Sequence, residues 1–112
     1  MGFSYVPKVG KIYVVTLTLA DTYYEVLTAA QARGIRGFKI KSRISYDSNG
    51  SPTHAPRPFN MALSETPDAG ASAGSGFFSS SPSGQADTFG PVNGLWCSSD
   101  VAGTVLEIMV YE

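Results

Sequence analysis

The stretch 95–112 constrains the fold more than any other part of the chain. Two runs flank the sequence Asp100–Gly103: Leu95–Ser99, which contains Trp96, and Thr104–Tyr111, which is rich in β-branched residues and ends in an aromatic one. A short loop with Gly between two such runs predicts a β-hairpin. From Thr104 to Tyr111 almost every residue is apolar, and only Glu107 interrupts the run. A strand that is apolar on both faces belongs in the middle of a packed β structure.

Length and composition indicate one globular domain. The chain has 112 residues, of which 43% are hydrophobic, and its mean hydropathy is +0.01. These values exclude a disordered chain and a membrane-spanning one. No apolar run approaches the roughly 18 to 20 residues of a membrane helix. The N-terminus lacks the basic start and apolar core of a signal peptide, so we expect neither a membrane segment nor secretion by that route.

The first strand is predicted at Lys11–Ala20, where Val, Ile, Tyr and Thr dominate. Its second half alternates, which places Val15, Leu17 and Leu19 on one face. A second strand is predicted at Tyr23–Thr28, followed by a single helical turn that Gly34 ends.

The segment Gly37–Tyr46 has the clearest alternation in the chain, and it predicts a half-buried strand with a basic solvent face. The inner face would hold Phe38, Ile40, Ser42 and Ile44, and the outer face Lys39, Lys41, Arg43 and Ser45. A row of three bases without interleaved aromatic residues favours ordinary solvation over nucleic-acid binding. We therefore expect no nucleic-acid partner.

Charge is sorted along the chain although the overall net charge is only −1. Residues 1–43 contain seven Lys or Arg and two acidic residues, a net charge of +5. Residues 44–112 contain one Arg and seven acidic residues, a net charge of −6. This asymmetry favours two halves of a fold, or two subunits, that face one another.

Six of the seven prolines lie between Tyr46 and Gly94, which predicts loops interrupted by short strands. Those strands are predicted at Phe59–Leu63, at Phe77–Phe78 and around Asp87–Phe89. About eight short strands without a convincing helix predict an all-β fold, a two-sheet antiparallel β-sandwich. Jelly-roll topology is favoured, and an immunoglobulin-like sandwich is the alternative. The predicted organisation is an extended N-terminal arm, residues 1–10, and a single β-sandwich domain, residues 11–112.

Residues that carry catalysis are sparse. His54 is the only histidine and Cys97 the only cysteine, which leaves no zinc ligand set. No nucleophile elbow or phosphate-binding loop occurs. Glu25 and Glu107 fall in predicted strands, but nothing in the sequence places them together as a glycosidase pair would require. We expect a non-enzymatic protein with no cofactor and no bound metal.

The N-terminal arm contains two aromatic residues without a local partner. Termini usually fray unless they dock, so these aromatics indicate docking on the domain or on a neighbour. The candidate interface residues are Phe3, Tyr5, Lys8, Lys39, Lys41 and Arg43.

Three features of the chain resemble small virion structural proteins of tailed bacteriophages: the short armed chain, the Gly/Ser/Pro-rich middle, and the C-terminal pattern W-x-x-x-x-x-A-G-T-V-x-E over Trp96–Glu107. Jelly-roll capsid decoration (cement) proteins fit the size best. The resemblance implies a homotrimer that binds the major capsid protein on the outer capsid surface and stabilises the shell. The protein would be made in the host cytoplasm and reside in the virion.

Two further roles remain open from the sequence. Tail-fibre and baseplate modules share the same sequence style. A carbohydrate-binding β-sandwich for host recognition would use exposed aromatics as a stacking platform, with Tyr23, Tyr24, Phe77 and Trp96 as candidates; a glycan is expected as a partner only under that alternative.

Overall fold

The computed structural model describes residues 9–43, 45–46, 49–54, 56–67, 76–89 and 92–112. These residues form two four-stranded antiparallel sheets, a small two-stranded hairpin and one short helix. The predicted all-β, two-sheet sandwich is confirmed. In chain order the elements are β1 (Val9–Leu17), β2 (Tyr24–Leu27), α1 (Ala29–Ala32), β3 (Gly37–Arg43), β4 (Ser45–Tyr46), β5 (Pro52–His54), β6 (Asn60–Ala62), β7 (Phe77–Ser79), β8 (Gln85–Phe89), β9 (Leu95–Ser98) and β10 (Thr104–Tyr111).

The eight strands of the two four-stranded sheets pair in a nested pattern, the first with the last. Sheet A has the order β1-β10-β3-β8 and sheet B the order β2-β9-β6-β7, while β4 and β5, among the residues described, pair with each other alone. Within the two sheets, β1 pairs with β10, β2 with β9, β3 with β8, and β6 with β7. The first four of these strands therefore pair antiparallel with the last four in reverse order. The pairs β1–β10 and β3–β8 lie in sheet A, and the pairs β2–β9 and β6–β7 lie in sheet B.

The hairpin predicted across Asp100–Gly103 is wrong. β9 lies in sheet B and β10 in sheet A, so the loop between them crosses from one sheet to the other. Two hydrogen bonds join this connection to the end of β1 and to the loop that follows it: the Asp21 amide donates to the Ser99 carbonyl (2.7 Å), and the Gly103 amide donates to the Leu17 carbonyl (2.8 Å). A short loop with Gly can form either a hairpin or a connection between two sheets. The two hydrogen bonds to the end of β1 and to the loop after it stabilise the connection between the sheets.

Strand β10 occupies the centre of sheet A, between β1 and β3, as its two-sided apolar sequence predicts. Its inward side chains, Leu106, Ile108 and Val110, are almost completely buried. They join a core that both sheets line. The largest fully buried side chains elsewhere in this core are Phe38, Phe59, Leu17, Leu27 and Ile40.

Strand β1 starts and ends earlier than predicted. It spans Val9–Leu17, so Val9 and Gly10 belong to the sheet and not to the arm. Leu17 is buried and Val15 half-buried, as the alternation predicts, but Leu19 lies beyond the strand and is 59% exposed. The predicted inward position of Leu19 is therefore wrong. The arm itself, residues 1–8, lies outside the described residues.

The alternation of the third strand is confirmed over Gly37–Arg43. Phe38, Ile40 and Ser42 are buried, while Lys41 and Arg43 are exposed. Ile44 lies outside the described residues. The helical turn predicted before this strand is also present as α1, and a capping box starts it: the Gln31 amide donates to Thr28 Oγ1 (3.1 Å), and the Thr28 amide donates to Gln31 Oε1 (2.9 Å).

Ser42 is a buried hydroxyl that joins three segments. Its Oγ donates to the Arg57 carbonyl (2.7 Å) and accepts from the Arg57 amide (2.9 Å). Its own amide donates to the Gly84 carbonyl (2.8 Å). Gly84 has a φ of +77°, and a Cβ there would collide with Ser42 Oγ and with the Arg57 carbonyl. Only glycine fits this approach.

We expect Ser42→Ala to lower the free energy of unfolding by about 1–3 kcal/mol, because both backbone groups of Arg57 lose a buried partner. Urea denaturation followed by circular dichroism measures this loss. Ser64→Ala is the matched control, since Ser64 is exposed, and it should stay within about 0.5 kcal/mol of the wild type. Equal stability of the two variants would contradict the role given to Ser42.

Candidate interaction surface

The outer face of sheet A gathers the predicted basic row into one surface with apolar residues. Strand register aligns Ile12 with Met109 and Lys39, and aligns Val14 with Glu107 and Lys41. A third row holds Thr16, Val105 and Arg43. We call this face the outer surface, defined by Ile12, Val14, Met109, Glu107, Lys39, Lys41 and Arg43.

One carboxylate on the outer surface faces two cations. Glu107 Oε1 lies 3.7 Å from Lys41 Nζ, and Glu107 Oε2 lies 3.6 Å from Arg43 Nη1. All three side chains are partly exposed, so each pair contributes at most about 1 kcal/mol to stability. Within the described part of the chain, Lys39 has no ion pair. The row is thus partly neutralised, which weakens any general attraction for nucleic acid.

The other half of the outer surface is apolar and open. Ile12 is 63% exposed and Val14 is 52% exposed, and both lie on the edge strand β1. A shallow depression of about 430 Å³ lies between the two halves, with Ile12, Met109, Lys39, Lys41, Glu107 and Gln85 around it. Exposed β-branched side chains on a long edge strand offer both apolar area and unpaired backbone groups to another protein.

The edge strands β1 and β2 lie at one side of the sandwich, and β7 and β8 are the edge strands at the other side. The sandwich is open at the β7 and β8 side. A pocket of about 450 Å³ enters the core there. Phe78 shares a cross-strand row with Met61 and Cys97, whose side chains face the core, yet Phe78 is 70% exposed. The pocket walls include Phe38, Met61, Leu63, Phe77, Phe78 and Leu95. We call this site the end pocket.

The six predicted interface residues divide into two groups. Lys39, Lys41 and Arg43 lie together on the outer surface, on alternate positions of β3. Phe3, Tyr5 and Lys8 lie outside the described residues.

The aromatics proposed as a glycan platform divide between the two faces of sheet B, with Trp96 and Phe77 on one face and Tyr24 on the other. Trp96 and Phe77 lie in one row of sheet B with Ala62 between them, so about 10 Å separates them. Tyr24 packs against the core, and its hydroxyl accepts from the Leu19 amide (3.0 Å).

The His, Cys, Asp and Glu side chains that could serve in catalysis do not form a cluster in the described residues. Among them, no group of three or more His, Cys, Asp or Glu side chains could hold a metal ion. Cys97 is fully buried, and burial raises the pKa of its thiol far above the ordinary value, which keeps it protonated and unreactive. Glu25 is exposed on β2, whereas Glu107 lies on sheet A. Within the part of the chain that the structure describes, no helix has the length and apolar character needed to cross a membrane.

Comparison of the chain with protein-family models, with curated proteins and with solved structures gives no match.

Sequence reasoning found the basic row but missed Ile12 and Val14 as surface residues. Both belong to an apolar run, Ile12–Val15, in which the inward residues Tyr13 and Val15 alternate with them. The available signal was that run, which is apolar on both faces like β10. Only the strand order shows that β1 is an edge strand and that its second apolar face is exposed.

Proposed function

We propose that this protein is a non-enzymatic capsid decoration (cement) protein that binds the outer surface of a phage head and stabilises the shell. The observation that carries the proposal is the outer surface, where exposed Ile12 and Val14 lie beside the paired charges of Lys41, Arg43 and Glu107. An apolar patch next to fixed charges suits a protein partner: the apolar area supplies affinity, and the charges fix orientation.

The strand order supports this proposal at the level of topology. The pairing of eight strands, first with last, in two four-stranded sheets supports the proposed jelly-roll topology, a fold that viral capsid domains use. The hairpin of β4 and β5 would be an insertion between the third and fourth strands of that roll. A rigid two-sheet scaffold of this kind holds a binding face in one geometry at many equivalent lattice positions.

The expected assembly is a homotrimer, because a closed threefold ring matches threefold positions of an icosahedral shell. The expected location is the virion surface, after synthesis in the host cytoplasm, with the major capsid protein as partner.

The direct test mixes the purified protein with phage capsids assembled without it and then sediments the particles. We expect saturable co-sedimentation with the capsids, and light scattering of the free protein should give about three times the 11.8 kDa chain mass. Failure to bind capsids, together with binding to purified tails or to a glycan array, would replace this proposal by the tail or carbohydrate-binding alternative.

A further inference from the structure

The chain contains two Asn-Gly pairs, Asn49–Gly50 and Asn93–Gly94. An asparagine in such a pair can react with its neighbour: the glycine amide nitrogen attacks the side-chain carbonyl carbon, and ammonia leaves. Glycine favours this ring closure because it has no Cβ to shield its nitrogen. Both glycines have a positive φ, +78° at Gly50 and +118° at Gly94. The surroundings of the two pairs therefore decide which asparagine reacts.

Asn49 and Gly50 lie in an open turn between β4 and β5. Both residues are exposed, and a Cβ built on Gly50 would have no atom within 4 Å. Among the described residues, β4 and β5 pair with each other and with neither four-stranded sheet. Ring closure requires rotation about the Asn49 Cα–C bond, and an exposed turn tip accommodates such motion without loss of core contacts.

Asn93 and Gly94 have the opposite surroundings. Asn93 is exposed, but Gly94 is buried directly before β9. A Cβ built on Gly94 would lie 3.5 Å from the Leu27 carbonyl oxygen and 3.6 Å from Glu25 Oε2. Rotation of this buried backbone requires local opening, which costs free energy. The glycine nitrogen must also lose its proton, and the nearby Glu25 carboxylate disfavours the negative charge.

We propose that Asn49 is a site of spontaneous deamidation in the folded protein, whereas Asn93 is protected. In the first step a bond forms between Gly50 N and Asn49 Cγ, which closes a succinimide ring. The side-chain nitrogen leaves as ammonia and takes the amide proton of Gly50 with it. Water then opens the ring at either carbonyl carbon and gives aspartate or isoaspartate at position 49. Water is the only co-reactant.

The modification changes the turn between β4 and β5 and leaves the core intact. Either product adds one negative charge to residues 44–112, which already carry a net charge of −6. Isoaspartate also lengthens the backbone of the turn by one methylene group. Because β4 and β5 pair with neither four-stranded sheet in the described chain, the deamidated protein should keep its melting temperature. The reaction does not depend on capsid binding.

Peptide mapping by mass spectrometry of the aged protein tests the site. Folded protein is incubated for weeks at mildly alkaline pH, and a parallel sample is incubated in guanidinium chloride. We expect Asn49 to deamidate at least about tenfold faster than Asn93 in the folded protein, because Gly94 must first open locally. In the unfolded sample the two rates should become similar, since the fold no longer protects Gly94. An intact Asn49 in folded protein, or equal rates at both sites there, would overturn the proposal.

The variant Gly50→Ala tests the attack by the nitrogen of residue 50. The added methyl group has open space in the turn but shields the nitrogen, so deamidation at Asn49 should slow by at least about tenfold. Thermal unfolding confirms that the variant is folded despite the positive φ at this position. Asn60, which precedes Met61 in β6, is the internal reference and should stay intact in both proteins. An unchanged rate at Asn49 in Gly50→Ala would overturn the proposal.

Discussion

Replacing Ile40 by Asp should leave no folded protein at pH 7. Ile40 is 0% exposed and lies between Ile108 and Ala86 in the central part of sheet A. The change removes an aliphatic side chain, worth about 2–5 kcal/mol in a core, and buries a carboxylate without a partner, which costs about 3–5 kcal/mol more. The sum is comparable with the whole stability of a domain of this size, about 5–15 kcal/mol.

The matched control is the same substitution on the same sheet at Ile12, which is 63% exposed. Ile12→Asp should change the free energy of unfolding by no more than about 1 kcal/mol, because its carboxylate stays in water. Circular dichroism and chemical denaturation of both variants measure the difference. A soluble Ile40→Asp variant that melts like Ile12→Asp would contradict the placement of β3 in the core.

The largest functional effect is expected from the apolar half of the outer surface. The double variant Ile12→Asp, Val14→Asp should bind capsids at least about a hundredfold more weakly than the wild type, a loss of about 2.7 kcal/mol. Both side chains would otherwise be desolvated at the interface, and each new carboxylate opposes that desolvation. Capsid co-sedimentation over a range of protein concentrations measures the loss.

The control for this variant introduces two acidic residues at exposed positions away from sheet A, Ser64→Asp and Thr66→Asp, which follow β6 of sheet B. It carries the same change in net charge and should bind within about threefold of the wild type, because charges more than a Debye length from the interface are screened. Equal binding by the two double variants would show that the outer surface is not the capsid-binding face.

Local periodicity correctly predicted the faces of β3 and the inward positions of Val15 and Leu17 in β1, but not that of Leu19, which lies beyond the strand. The alternation over Phe38–Arg43 places its apolar residues inside because side chains of a strand point to opposite faces in turn. The two-sided apolar sequence of β10 likewise predicts a central strand, and β10 lies between two neighbours. These properties depend on the segment itself and on the presence of a core, so one sequence is sufficient to find them.

Pairing between distant segments could not be read in the same way. The loop Asp100–Gly103 has the local signature of a hairpin, but the hydrogen bonds that decide its path go to Leu17 and Asp21, about 80 residues earlier. Ile12 and Val14 resemble core residues by composition, and only the edge position of β1 exposes them. The sequence around Phe78 predicts a short strand. The exposure of the Phe78 side chain depends on the distance between the edges of the two sheets, which the local sequence does not encode.

Electron cryo-microscopy of capsids assembled without this protein and then incubated with it tests the proposed capsid decoration function most directly. We expect added density on the outside of the shell at positions of threefold symmetry, with the outer surface of sheet A against the major capsid protein and Ile12 and Val14 at the contact. Shells that remain bare at saturating protein concentration, or density found only on tails, would contradict it.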